Sequence, residues 1–221
     1  MSISVLILGE SGTGKTCSLR NLNPAETLLI QPVRKPLPFR SKEWREIKEK
    51  GDGGNIFVCS DAQKIVSAMK RAPQNVIVVD DFQYILISIL MARRAERSFD
   101  KFSDIGGAGF DVVSAASQLD ENKRVYVLCH TETDDFGNVR AKSIGKMLTD
   151  KICIEGLFTI TLRTHVENNH YTFQTHNSGQ DTVKTPLQMF DRDFIDNDLS
   201  YVDSVILDYY GIGEKNDEET R

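Results

Sequence analysis

Dense apolar, β-branched runs alternate along the chain with segments of helical spacing. Ile3-Ser4-Val5-Leu6-Ile7-Leu8, Thr27–Ile30, Asn55–Cys59, Asn75–Val79 and Lys123–Cys129 read as buried strands. Lys15 to Leu22 predicts the first turns of a helix. Ala62, Ile65, Val66 and Met69 mark one helical face, with Ser60 and Gln63 spaced as a capping box and Pro73 closing the segment. Phe82 to Arg97 predicts a mostly buried helix, and Ser41 to Lys50 a surface helix anchored by Trp44 and Ile47. Ser98 to Gly109, with Gly106, Gly107 and Gly109, reads as a loop ahead of a helix near Phe110 to Leu119. Gly156–Thr164 and His170–Thr175 alternate around Glu167-Asn168-Asn169, predicting an antiparallel hairpin. Ile144 to Leu148 predicts a short helix, and Leu199 to Tyr209 a longer one.

Strand and helix alternate through residue 130. The fold class this implies is α/β, a mostly parallel sheet flanked by helices, with the C-terminal hairpin adding antiparallel strands at an edge. The expected domain is residues 1–212, followed by an acidic flexible tail, 213–221. Gln31 to Phe39 interrupts the pattern: three prolines, Pro32, Pro36 and Pro38, make a rigid loop.

Composition narrows the class. The 221 residues carry a formal net charge of -5, against a uniformly nucleic-acid-coating protein but not against a local basic groove. Residues 34 to 50 hold seven basic side chains against three glutamates, read as a solvated helix face in preference to a polyanion contact. The four cysteines, Cys17, Cys59, Cys129 and Cys153, form no C-x-x-C pair, so neither a disulfide framework nor a zinc site is expected. With no apolar run of membrane-spanning length and no signal peptide in view, the expected compartment is the cytoplasm.

One stretch carries chemistry directly. Gly9-Glu10-Ser11-Gly12-Thr13-Gly14-Lys15-Thr16 fits G-x-x-x-x-G-K-[ST] and follows a predicted strand, the context in which backbone N–H groups cradle phosphates. Gly9 to Thr16, with Cys17 behind them, are the expected nucleotide-binding residues, and ATP with Mg2+ the expected ligands. Lys15 is expected to reach the β- and γ-phosphates, and the Thr16 hydroxyl to ligate magnesium with Asp80, the acid that ends an apolar strand. Asp81 either orients the attacking water or caps the helix beginning at Phe82. His130 closes the strand after Asp80. If that strand lies between the other two, His130 points towards the γ-phosphate, to sense ATP or link hydrolysis to the loop behind it; the alternative is a strand-end histidine whose ring is satisfied by backbone groups. His165, His170 and His176 read as surface residues.

The phosphate loop is followed in order by Lys35-Pro36-Leu37-Pro38-Phe39, Asp80-Asp81-Phe82-Gln83-Tyr84, Cys129-His130-Thr131-Glu132 and Ile144-Gly145-Lys146-Met147-Leu148. With the hairpin, these blocks resemble phage-encoded AAA/RecA-like ATP-binding proteins, a group that includes RecA-like single-strand annealing ATPases of the Sak kind. The resemblance covers most of residues 1 to 210. It implies a P-loop NTPase with a RecA-like core and two loops facing single-stranded DNA. By position these are Arg97–Gly109, with Lys101, and Thr131–Lys146, with Arg140, Lys142 and Lys146. It also implies a ring or filament in which a neighbour's cation, Arg163 or Lys184, completes the site. The function implied is a DNA-stimulated ATPase in phage recombination or annealing. The alternative is a nucleotide-switched loader that recruits a single-strand-binding or replication protein with little hydrolysis. A small-molecule kinase is the weaker third reading. The chain departs from the pattern at one point: such ATPases place a catalytic glutamate just after the second strand, where this sequence has Gln31-Pro32-Val33-Arg34-Lys35.

Overall fold

The computed structural model describes residues 1–49, 51–142, 144 and 153–213. Its strands are β1 (Ile3–Gly9), β2 (Thr27–Gln31), β3 (Ile56–Val58), β4 (Val76–Val79), β5 (Arg124–Thr133), β6 (Val139–Ala141), β7 (Ile160–Glu167), β8 (His170–Gln174) and β9 (Phe194–Asp196). They form one sheet in the order β3-β2-β4-β5-β1-β7-β8-β9, with β6 paired to β5 off that path. The six from β3 to β7 run parallel. β7–β8, β8–β9 and β5–β6 pair antiparallel. The hairpin turn is Asn168-Asn169, both at positive φ, the two-residue geometry that matches strand twist.

Because side chains alternate across a strand, the sheet builds two cores. Leu6, Leu8, Ile30, Ile77, Val79, Val125 and Val127 face α1 (Ala62–Arg71), α2 (Gln83–Ala92) and α3 (Asp100–Ser117). Val5, Ile7, Leu29, Val78, Tyr126, Leu128 and Leu162 face the other way, onto α4 (Leu199–Tyr210), Leu19 and Trp44. Helices on both sides of a mostly parallel sheet are the α/β arrangement the alternating pattern implies. The alternate apolar positions within each strand are why both faces need covering.

Several predicted elements differ. Behind the glycine loop there is no α-helix but a six-residue 3-10 segment, Thr16–Asn21. Pro24 disfavours helical backbone at Asn23 and cuts the run short. Residues 41–49 are no surface helix. Trp44 is buried, Ile47 N–H donates to the Ile56 carbonyl at 2.8 Å, and Glu46 bridges to the β3 edge in parallel. The predicted loop 98–109 is mostly helix, since α3 starts at Asp100. Ile105, Gly109, Val112, Val113 and Ala116 continue one apolar face, and buried Gly106 and Gly109 allow close packing there rather than breaking the helix. α1 is capped by Asp61, whose carboxylate accepts from Lys64 N–H, so Ser60 and Gln63 form no capping box. α2 ends at Ala92, before the arginine-rich stretch. Residues 145–148 of the predicted short helix and the tail beyond Gly213 lie outside the described residues.

Candidate functional site

The C-terminal ends of β1, β4 and β5 meet at the middle of the sheet. β5 lies between β1 and β4, so the strand carrying His130 separates the glycine loop from Asp80. Gly9 is registered opposite His130. Ligands of open parallel sheets gather at this edge, outside the carboxyl ends of the strands.

The glycine loop is held from β7 and β8. A Cβ on Gly9 would lie 1.9 Å from the Thr164 hydroxyl, so only glycine fits where β7 passes. Thr164 also shares a 2.6 Å hydrogen bond with Thr13. Gly14 sits at φ +98, where an added Cβ would meet Tyr171 and Asn197 at 3.1 Å. Lys15 is buried, and its ammonium donates to the carbonyls of Gly9 and Glu10 at 2.8 Å each, folded back on its own loop. Burial lowers its pKa, against the pull of Asp81 and Asp80.

Thr16 donates its hydroxyl to Asp80 Oδ1 at 3.0 Å. Asp80 is fully buried, and burial raises its pKa despite the nearby Lys35 ammonium. Its other oxygen, Oδ2, has no hydrogen-bond partner among the described residues. A hydroxyl and a carboxylate side by side, one oxygen of which lacks a donor, are hard oxygen ligands suited to Mg2+. The donor set therefore fits the metal that nucleotide-binding loops of this kind use.

Asp81 holds a left-handed backbone, φ +65. It does not cap α2: the N-cap is Phe82, without a side-chain hydrogen bond. Instead one carboxylate oxygen accepts from Lys35 and the other lies 3.2 Å from His130 Nε2. Burial would raise its pKa, but His130 and Lys35 outweigh that and hold it well below the usual carboxylate range. Gln83 fixes the strand end below, its side-chain oxygen accepting from His130 N–H at 3.3 Å.

Sequence reasoning missed Lys35 as a member of this site. Its ammonium pairs with Asp81 and stands 3.4 Å from Asp80 Oδ2. The signal was present: a cation on a proline-stiffened loop just after the second strand, followed far along the chain by two adjacent acids. Gln31, which ends β2, is buried and its side-chain nitrogen has no partner among the described residues. Tyr171, also unforeseen, lines the same cavity of about 330 Å³ as Ser11, Lys15, Thr16, Lys35 and His130.

The residues expected to meet DNA are not gathered around this cavity. Lys101 belongs to the first turn of α3, not to a loop, and donates to the Glu96 carbonyl at 2.7 Å. Arg140 lies on β6, where its Nε donates to Glu132 at 2.9 Å. Lys142 follows on the same hairpin, its N–H donating to the His130 carbonyl at 2.7 Å. Lys146 lies outside the described residues. Arg163 is partly buried in β7, and Lys184 bridges back to Thr161.

No family model and no curated protein matches the chain. Solved structures do match, among them a prototypical ATPase from the type III secretion system of pathogenic bacteria, at 9% identity and a TM-score of 0.43. That alignment covers 74% of this chain and 51% of the other, so the chain spans about half its length. The sheet order and the geometry at the ends of β1, β4 and β5 are the basis of the functional reading. Among the described residues no helix is long and apolar enough to cross a membrane.

Proposed function

We propose that this chain binds a magnesium–nucleoside triphosphate, ATP in the first instance, and hydrolyses it slowly, using the triphosphate state to control a contact with single-stranded DNA. One observation carries the reading: Lys15-Thr16, Asp80 and His130, from three distant segments, converge at one edge of the sheet with β5 between β1 and β4. Gly9 to Cys17 would cradle the phosphates through their N–H groups, and Thr16 and Asp80 would hold the metal, which supplies charge neutralisation at the phosphates. Lys15 is then redirected from its own loop carbonyls to phosphate oxygens.

The DNA side of the proposal draws on the resemblance to single-strand annealing ATPases and on one connection. His130 closes the catalytic edge, and its carbonyl is bonded directly to Lys142 on the hairpin that also bears Arg140. A change at the nucleotide has a one-residue route to those cations. Assembly into a ring or filament would line such hairpins along a strand.

The cation in place of the glutamate favours a second emphasis, an ATP-dependent assembly or loading switch of phage replication with low turnover. Hydrolysis measured with and without single-stranded DNA separates the two. The first expects stimulation, whereas the second expects ATP binding with DNA or partner association and no rise in rate. In both, Lys15→Ala and Asp80→Ala abolish hydrolysis, and unchanged hydrolysis in Lys15→Ala would remove the site assignment itself.

A further inference from the structure

The Lys35 ammonium is shared between two carboxylates in a cavity built for an anion. It pairs with Asp81 and lies 3.4 Å from Asp80 Oδ2, longer than a good hydrogen bond, while that oxygen has no donor of its own among the described residues. Its hold is therefore lopsided, firm on Asp81 and loose on Asp80. Pro32, Pro36 and Pro38 stiffen the loop that carries it, leaving the four-carbon side chain as the movable part. The ammonium already lines the same cavity as Lys15, Thr16 and Ser11, and its side chain is 35% exposed, so it needs no backbone rearrangement to turn inward.

We propose that Lys35 is the group by which this site tells a nucleoside triphosphate from a diphosphate: it neutralises the Asp80–Asp81 pair when the cavity is empty and moves onto the terminal phosphate when a triphosphate fills it. This rests on the nucleotide reading given above. The chemistry is an exchange of anionic partners, with no bond made or broken. A terminal phosphate offers three acceptor oxygens and more charge than one carboxylate, so its charge-assisted contact competes for the ammonium against the firm hold of Asp81 as well as the loose one of Asp80. A diphosphate presents no terminal group at that depth, so Lys35 stays on the acids. The same side chain thereby supplies, within one subunit, a cation that related assemblies draw from a neighbour, and it occupies the place of an activating acid. Triphosphate recognition is gained where water activation is given up, which accords with slow turnover.

The test is equilibrium binding of a non-hydrolysable ATP analogue and of ADP, each with Mg2+, to wild type, Lys35→Ala, Lys35→Arg and Asp81→Asn. For Lys35→Ala, affinity for the triphosphate analogue falls by about tenfold to a hundredfold, the range of one charge-assisted hydrogen bond, while ADP binding holds or tightens. Lys35→Arg keeps most of the preference. Asp81→Asn loosens the competing hold on Lys35 and raises the preference, which serves as the test should Lys35→Ala fail to fold. Equal loss of both nucleotides in Lys35→Ala, no loss of either, or a lowered preference in Asp81→Asn would show that Lys35 only braces the acids. If wild type binds neither nucleotide, the nucleotide reading itself falls and takes this one with it.

Discussion

Asp81 concentrates more of the site's electrostatics than any other single residue. Its left-handed backbone aims one carboxylate at both Lys35 and His130, a conformation aspartate and asparagine tolerate better than other non-glycine residues. Asp81→Asn therefore keeps the backbone and removes only the charge. The folded-state pKa is depressed below the ordinary 3.8, so the stability contributed by the ionised group is fully present above that value and lost as pH falls through the folded one. Asp80 titrates in both proteins, so the difference between them isolates Asp81 and its coupling. In urea unfolding, the advantage of wild type over Asp81→Asn should shrink steadily as pH falls below about 4. An advantage that grows below about pH 4 would contradict the ion-pair geometry. Cysteine gives a second contrast at this scale. Burial pushes the Cys129 thiol up to about 12, whereas Cys153 is exposed. An alkylating reagent at about pH 8 should label Cys153 in the folded protein and reach Cys129 only on unfolding, because the thiolate is the reactive form. Mass spectrometry of labelled peptides checks this.

Among the elements, those fixed by local pattern were legible and those fixed by tertiary context were not. The central strands are short apolar runs that no helix of that length would explain, and the glycine loop announced itself by spacing. α3 was hidden because Gly106, Gly107 and Gly109 read locally as breakers, while Gly106 and Gly109 in fact sit buried where the helix packs closely. Trp44 looked like the anchor of a surface helix, yet its ring is buried against the sheet and packs edge-on against Phe39. Lys35 escaped for a related reason: nothing local says that a basic loop will fold over two acids from a strand much further along the chain. The seat of α4 was equally invisible. Asp203 accepts from Arg124 through both oxygens, at 3.0 and 2.8 Å, and from the Tyr126 hydroxyl at 2.6 Å. These groups are buried beneath Leu199, Val202 and Ile206. Removing one partner strands the other, so Asp203→Ala should cost about 3–5 kcal/mol in chemical unfolding. Replacing the whole network together, Arg124→Met with Asp203→Leu and Tyr126→Phe, should recover much of that loss. A triple variant as unstable as the single one would mean that packing, not charge, seats the helix.

For the whole molecule the question is how an acidic chain, net -5, would hold a polyanion. On the DNA reading proposed above, the surface for it would be local: the β5–β6 hairpin carries Arg140 and Lys142, with Lys142 N–H bonded to the His130 carbonyl, while Val139 and Ala141 bury the opposite side of β6. Arg140 is paired with Glu132 across that hairpin, so a nucleic-acid phosphate bound there would compete with an internal carboxylate for it. The two sides of that competition can be pushed in opposite directions. Arg140→Glu with Lys142→Glu should weaken single-stranded DNA binding and flatten its salt dependence, by about 0.7 in the log–log slope for each phosphate no longer neutralised. Glu132→Gln releases Arg140 and should strengthen binding at low salt, since the ion pair is exposed and contributes little to stability. Fluorescence anisotropy of a labelled oligonucleotide, titrated at several salt concentrations with the triphosphate analogue present, reads both. Nucleotide affinity should be the same in wild type and both variants, because the hairpin side chains lie outside the phosphate cavity. If Glu132→Gln left DNA binding unchanged while the double reversal abolished it, Lys142 alone would be the contact. If neither changed it, the hairpin would not be the DNA-facing loop.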